Sequence, residues 1–159
     1  MTRTISLALA LIIAASPAVA DTTYSGKFDY KSAHLAEDYF RSRSADQIRA
    51  YCDSQPESTM DASECAHFYF ERARSELGEE VRKITKNLGG SDKSLKVDGE
   101  PQALPYFTKA QSHWTAYRDN ECYSESYSLG QASMRYIVFW QCMRGLTQER
   151  INNLRSARN

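Results

Sequence analysis

The stretch FYFERARSELGEEVRKITKNLGG, residues 68–90, decides how this chain folds. Phe68, Tyr69, Ala73, Leu77, Val81, Ile84 and Leu88 recur at steps of three and four, with charged residues between them. That period places the apolar side chains on one stripe of an α-helix, whereas a half-buried strand would alternate them by two. Upstream, Ser58 or Thr59 can cap the helix, with Asp61 and Glu64 placed where carboxylates favour the positive end of the helix dipole. Downstream, Gly89-Gly90 reads as its stop. A helix with one apolar stripe must bury that stripe against neighbours, so the flanking sequence has to supply them.

On the C-terminal side, residues 89–101 contain Gly, Ser, Asp, Lys and Pro and read as a polar connection. Pro101 or Pro105 opens the next helix as an N1 proline, whose missing N–H costs nothing there. Phe107, Ala110, Trp114 and Tyr117 share one face of that helix, which should run to about Tyr127. Leu129-Gly130 marks a tight turn. A last helix follows from about Gln131 to Arg155, with Met134, Val138, Cys142, Leu146 and Leu154 on its inner stripe. On the N-terminal side, Leu35, Tyr39, Phe40, Ile48 and Tyr51 lie near helical spacing. Ser44-Ala45-Asp46-Gln47 reads as a capping box, which splits the region into two short helices, and a turn around Pro56 follows. Residues 21–31 are polar and lack periodicity, which suggests a loosely held arm. With no alternating stretch of useful length, the expected fold is all-α. It is a small helical bundle of three main helices, with one or two short helices added at the N-terminus.

Ahead of all this lies an export signal. Arg3 gives a positive start, Ile5 to Ala15 is an apolar run, and Ala18-Val19-Ala20 is the small-x-small pattern cut by signal peptidase. Cleavage is expected between Ala20 and Asp21. The apolar run is too short to span about 30 Å of hydrocarbon and ends at Pro17. The expected organisation is a cleaved signal peptide over 1–20, a partly helical N-terminal extension over 21–51 and a helical domain over 52–159.

The compartment governs the cysteines. Cys52, Cys65, Cys122 and Cys142 are an even set in an exported chain and read as two disulfides. Their successive gaps of 13, 57 and 20 lack the close pairs of a zinc site, and no C-x-x-C suggests a catalytic thiol. Neighbour pairing, Cys52 with Cys65, is the simplest topology. Helix levels favour a crossed pairing instead, Cys65–Cys122 and Cys52–Cys142. Measured from the turn at Gly130, Cys142 lies about five residues, or roughly 7 Å of helix rise, further out than Cys122.

The chain holds 20 basic and 20 acidic residues, and losing residues 1–20 removes one base. Such a balance gives no electrostatic support for binding nucleic acid or an anionic membrane. The charge is uneven, however: residues 53–100 carry 11 acids and 7 bases, and residues 101–159 carry 4 acids and 7 bases. No glycine-rich phosphate loop and no nucleophile–base–orienter set stands out, so no enzymatic activity, cofactor or metal is expected. His34, His67 and His113 show no ligand spacing. Glu79-Glu80 and Arg82-Lys83 read as a solvated helix face.

Three groups of residues carry a resemblance. They are Thr59-Met60 ahead of Cys65, then Trp114-x-x-Tyr117-Arg118-Asp119-x-x-Cys122, then Cys142-x-x-x-Leu146-Thr147-x-x-Arg150-x-x-x-Leu154. Together they resemble the lysozyme inhibitor LprI family of small bacterial envelope proteins, over about residues 52–155. Where family members often carry Gly-Gly before the last helix, this chain has Leu129-Gly130. The resemblance implies a disulfide-bearing helical fold, a periplasmic or secreted location and, more loosely, a protein partner such as a lysozyme.

The motif residues themselves read as structural. Trp114 and Tyr117 share a face and should pack in the core. Arg118 and Asp119 are adjacent, about 100° apart on a helix, so they should seek other partners. Arg118 is expected to reach Glu121 or Glu125 and Asp119 to reach Arg150, with Thr147 one turn away in the same interhelical clasp. Two functions follow. One is an exported binding module that blocks a lysozyme or another cell-wall hydrolase, through exposed polar residues at 89–100 or 124–133. Animal lysozymes are strongly basic, so an acidic inhibitor surface would steer association. The other is a structural or assembly protein of the envelope without inhibitory activity, its N-terminal extension serving as a docking arm.

Overall fold

The computed structural model describes residues 26–157 except Ser42 and Gln55; the expected signal peptide and its cleavage site lie outside the described residues. A 3-10 turn over Tyr30–Ser32 precedes α1 (Ala36–Phe40), α2 (Ala45–Asp53), α3 (Thr59–Val97), α4 (Leu104–Ser128) and α5 (Arg135–Ser156). The described residues contain no strand, and the fold is all-α: three long helices with two short ones ahead of them. No described helix is long and apolar enough to cross a membrane.

The helix starts follow their caps. At α2 both arms of the capping box form: Ser44 Oγ accepts from Gln47 N–H and Gln47 Oε1 accepts from Ser44 N–H at 2.8 Å. Ser58 caps α3, its Oγ accepting from Asp61 N–H at 3.0 Å. Pro105 sits in the first turn of α4. There the carboxylate of Asp92, on α3, accepts the N–H groups of Ala103 and Leu104 at 2.9 and 2.8 Å. One helix thereby caps the next.

α3 does not stop at Gly89-Gly90, as the sequence suggested, but continues to Val97. Neither glycine takes a positive φ, and Leu104 of α4 packs over Gly89, 3.6 Å from where a Cβ would stand. The stop is Gly99, at φ 74°. Glu100 N–H bonds to Leu95 O at 2.8 Å and Gly99 N–H to Lys96 O at 3.4 Å, the paired bonds of a Schellman motif. Pro101 follows and cannot extend the helix. The polar connection therefore shrinks to about residues 98–103.

α5 packs chiefly against α3 and next against α4. It therefore buries two sides: Phe139, Trp140, Met143, Thr147, Ile151 and Leu154 are all buried, a wider stripe than the sequence suggested. Val138, Cys142 and Leu146 are half-buried, while Met134 precedes the helix and is half exposed. On α4 the expected face is rotated. Tyr117 is 53 % exposed and not in the core, Trp114 is half-buried, and the fully covered positions are Arg118, Cys122 and Ser126.

The bridges are Cys52–Cys65 and Cys122–Cys142, each with Cα atoms 5.5 Å apart, so the crossed pairing is wrong. The helix-level argument failed because α5 begins at Arg135, not Gln131. Cys122 stands six residues before the end of α4 and Cys142 seven after the start of α5, which sets them level. With α5 lying against α3, Cys65 has no route to Cys122. It is bridged instead to α2, folded back over the start of α3.

Of the arm expected over residues 21–31, residues 21–25 lie outside the described residues, and residues 26–31 are not loosely held. Phe28 is ringed by Tyr123, Tyr127, Tyr136, Phe139 and Trp140, with centroids 4.8–6.4 Å away. Tyr30 is buried in the main core cluster with Phe70, Phe139 and Trp140. Backbone N–H groups of Phe28 and Tyr30 donate to the hydroxyls of Tyr127 and Tyr123, both at 3.2 Å. Arg135 donates to Gly26 O at 2.8 Å. Residues 26–32 form a strap across α4 and α5.

Candidate functional site

The α4–α5 seam gathers most of the motif residues. Arg118 is buried, with its guanidinium 5.4 Å from the Phe70 ring and 5.2 Å from the Trp114 ring. It donates from Nε and Nη2 to Oδ1 of Asp119, from Nη2 to the Tyr30 hydroxyl at 3.2 Å, and from Nη1 to Thr147 Oγ1 at 3.4 Å. Neither Glu121 nor Glu125 receives it. The 100° between adjacent helix positions does not forbid the Arg118–Asp119 pair, because the long arginine stem curls back to a carboxylate flanking the same seam. Asp119 Oδ2 meets the Tyr30 hydroxyl at 2.9 Å and Lys31 Nζ at 3.8 Å, and Arg150 is not its partner. Arg150 instead donates to Gln111 Oε1 at 3.4 Å and lies 5.8 Å from the Trp114 ring. Thr147 donates to Met143 O, and Leu146 packs against the main core cluster. Burial and the Asp119 hydrogen bond push the Tyr30 hydroxyl up to about 12. Arg118, Asp119, Tyr30 and Thr147 answer one another, so this clasp fastens strap, α4 and α5.

A second cluster lies on the first turns of α3. Glu64, His67 and Glu71 follow one another at helical steps of three and four. Glu64 Oε2 stands 3.4 Å from His67 Nδ1 and 3.4 Å from His34 Nε2, while His67 Nε2 stands 3.5 Å from Glu71 Oε1. Glu71 also accepts the N–H of Ala36, at the start of α1. The His67 ring stacks on Trp140 at 3.8 Å and 11°. Sequence reasoning missed this group, although the Glu-x-x-His-x-x-x-Glu spacing was its signal. Among the described residues no three His, Cys, Asp or Glu side chains are arranged to hold a metal ion. A cavity of ≈ 270 Å³ opens beside the cluster, walled by Phe28, Met60, Tyr136 and Trp140.

The third feature is an acidic groove of ≈ 430 Å³ between α1 and α3, lined by Glu37, Glu71, Glu76 and Glu79 with Arg72 and Phe68. Glu76 is tied to Arg155 at 2.8 Å, and Glu80 beside it at 2.9 Å, which joins the acidic half of the chain to the basic half. Glu37 and Glu79 are exposed.

The family model of the lysozyme inhibitor LprI matches residues 52–154. The chain belongs to the lysozyme inhibitor LprI family. The match takes in both disulfides, the Trp114–Arg118–Thr147–Arg150 seam and the Glu64–His67–Glu71 row. It leaves out the strap with Phe28 and Tyr30, and also His34 and Glu37. Among curated proteins, an uncharacterized protein of Rhizobium meliloti (strain 1021) is 30% identical over 100 residues, which is 62% of this chain and 72% of that relative. No solved structure matches. LprI membership and the two bridges together point to an extracytoplasmic protein.

Proposed function

We propose that this protein is an exported inhibitor that occludes the cleft of a lysozyme or a related cell-wall hydrolase. The observation that carries the reading is the LprI family match over residues 52–154, which takes in both disulfides and nearly all of the three long helices. Such a hydrolase works through two carboxylates flanking the scissile bond, so a rigid body seated over them blocks substrate entry. Two bridges and a strap make this body rigid, which spares the entropy cost of ordering it on binding.

The docking face we assign is the acidic groove of α1 and α3, centred on Glu37 and Glu79. A basic lysozyme would be steered to it, and Glu37 and Glu79 are exposed for a protein surface to reach. The loop candidates from the sequence are less apt, since residues 89–97 and 124–128 are helical. Export follows from residues 1–20 as a signal peptide cut before Asp21, with the helical domain over 52–159 as the inhibitory unit and residues 21–51 as its extension.

The test is a cell-wall turbidity assay with the purified disulfide-bonded protein and lysozymes of several types. Inhibition at micromolar excess, weakened when Glu37 and Glu79 are changed to Lys and when salt is raised, is the expected result. No inhibition of any lysozyme would favour a structural or assembly role in the envelope.

A further inference from the structure

The cavity beside Glu64 has the chemistry of a ligand site. Its walls are Phe28 from the strap, Met60 from the first turn of α3, and Tyr136 and Trp140 from α5, with Ala33 and His34 at its mouth. No lysine or arginine lines it. Glu64 is only 6 % exposed, and both of its histidine partners address Oε2. Oε1 has no partner among the described residues, on a side chain that lines the cavity.

The fixed charges at this wall are acidic, since no lysine or arginine lines it. Glu64 and Glu71 bring two carboxylates here, faced by the imidazoles of His67 and His34. Phe28, Met60, Tyr136 and Trp140 make the rest of the lining mainly apolar, and a carboxylate with a free oxygen beside such walls favours a cationic hydrogen-bond donor. At ≈ 270 Å³ the space lies just under the usual range for drug-sized ligands, so it suits a short one.

We infer that this cavity binds a small organic cation, an ammonium or guanidinium group on an apolar stem, with Glu64 Oε1 taking the charge and Phe28, Met60, Tyr136 and Trp140 covering the stem. The site is distinct from the groove assigned to the hydrolase, so either can fail without the other. Because Phe28 and His34 lie outside the family match, its outer wall belongs to this chain's own extension. The ammonium could come from a free amine or from a lysine side chain of another protein.

The experiment titrates the full disulfide-bonded protein with phenethylamine, with neutral phenethyl alcohol of matching shape, and with N-acetyl-lysine methylamide. The Met60 methyl and the Trp140 indole are followed by NMR, and the Trp114 indole, on the far seam, is the internal control. Saturable shifts at Met60 and Trp140, with the alcohol about tenfold weaker than phenethylamine, support the site. Binding of phenethylamine alone marks a free amine as the source, and binding of the lysine derivative alone marks a protein side chain. Glu64→Gln should erase the preference for amine over alcohol. Should that variant fold poorly, Ala33→Trp at the exposed mouth should abolish the shifts with the core untouched. Equal affinity for amine and alcohol, unchanged binding in both variants, or no saturable shift with any probe would overturn the proposal.

Discussion

Arg118 donates from Nε and Nη2 to one oxygen of its chain neighbour Asp119, at 3.1 and 2.7 Å, although the two are adjacent on α4. The other Asp119 oxygen takes the Tyr30 hydroxyl at 2.9 Å, so a residue of the strap completes the pair. The Arg118 guanidinium is buried, and its charge is tolerable only because Asp119 answers it. Asp119→Ala should therefore lower stability by about 3 kcal/mol, and more than Arg118→Met, which removes the buried charge itself. Urea denaturation of the two variants checks the order, and Arg118→Met as the costlier change would refute it.

The strap should behave as part of the core. Phe28→Ala removes a ring held among five others and should cost about 3 kcal/mol. Tyr30→Phe keeps the ring and loses only the hydroxyl bonds, so about 1 kcal/mol is expected. Limited proteolysis gives the readout. Wild type should resist cleavage after Lys31, and Phe28→Ala should be cut there first.

Non-reducing peptide mapping should return Cys52 linked to Cys65 and Cys122 linked to Cys142. Each bridge closes a short loop, so replacing both cysteines of one pair by Ala should cost about 3 kcal/mol of stability. A peptide joining Cys65 to Cys122 would contradict the packing of α5 against α3.

Local signals in the sequence were legible wherever short-range chemistry decides. The stripe from Phe68 to Leu88, the Ser44–Gln47 capping box and the count of helices all appear as read. What misled was any inference that depends on where an element ends. Gly89-Gly90 looks like a stop only while Asp92 is unknown as the cap of α4. The Asp98-Gly99-Glu100-Pro101 signal ten residues on was the stronger one. Starting α5 four residues early then shifted Cys142 off the level of Cys122 and produced the crossed bridges. The strap was illegible for a different reason. Phe28 and Tyr30 are two aromatics in a polar, aperiodic stretch, and only tertiary packing gives them a role. Of the candidate site, Glu64, His67 and Glu71 share a helix face that spacing could have revealed, but His34 and Phe28 reach it across the fold.

Asp92 carries the junction of the two long helices. Its carboxylate takes two N–H groups at the start of α4, and it is buried. Asp92→Ala leaves both donors without that acceptor, and a loss of about 2 kcal/mol is expected, seen as a lower midpoint in urea. Hydrogen exchange should localise the change, with faster exchange at Ala103 and Leu104 and none at the Arg118 seam. Gly90→Ala probes the same region in the opposite direction. Gly90 is helical with nothing near its Cβ position, so alanine should stabilise by about 0.5–1 kcal/mol.

Burial raises Tyr51, Tyr69 and Tyr123 above the ordinary phenol value, and Tyr30 and Tyr39 furthest. Desolvation and a hydrogen bond to Asp119 raise Tyr30 from 10.0 to about 12, and desolvation with a bond to Asp61 raises Tyr39 likewise. In both, the folded state favours the protonated phenol. Their contribution is therefore complete below pH 10, where folded and unfolded chains both hold the proton, and is lost as pH climbs through about 12. Absorbance of tyrosinate against pH should show a late step separated from the ordinary tyrosines. Tyr30→Phe should shrink that step and flatten the decline in stability between pH 10 and 12. A single tyrosinate wave centred near 10, with helicity intact throughout, would mean that the Tyr30 hydroxyl is not buried against Asp119 in solution.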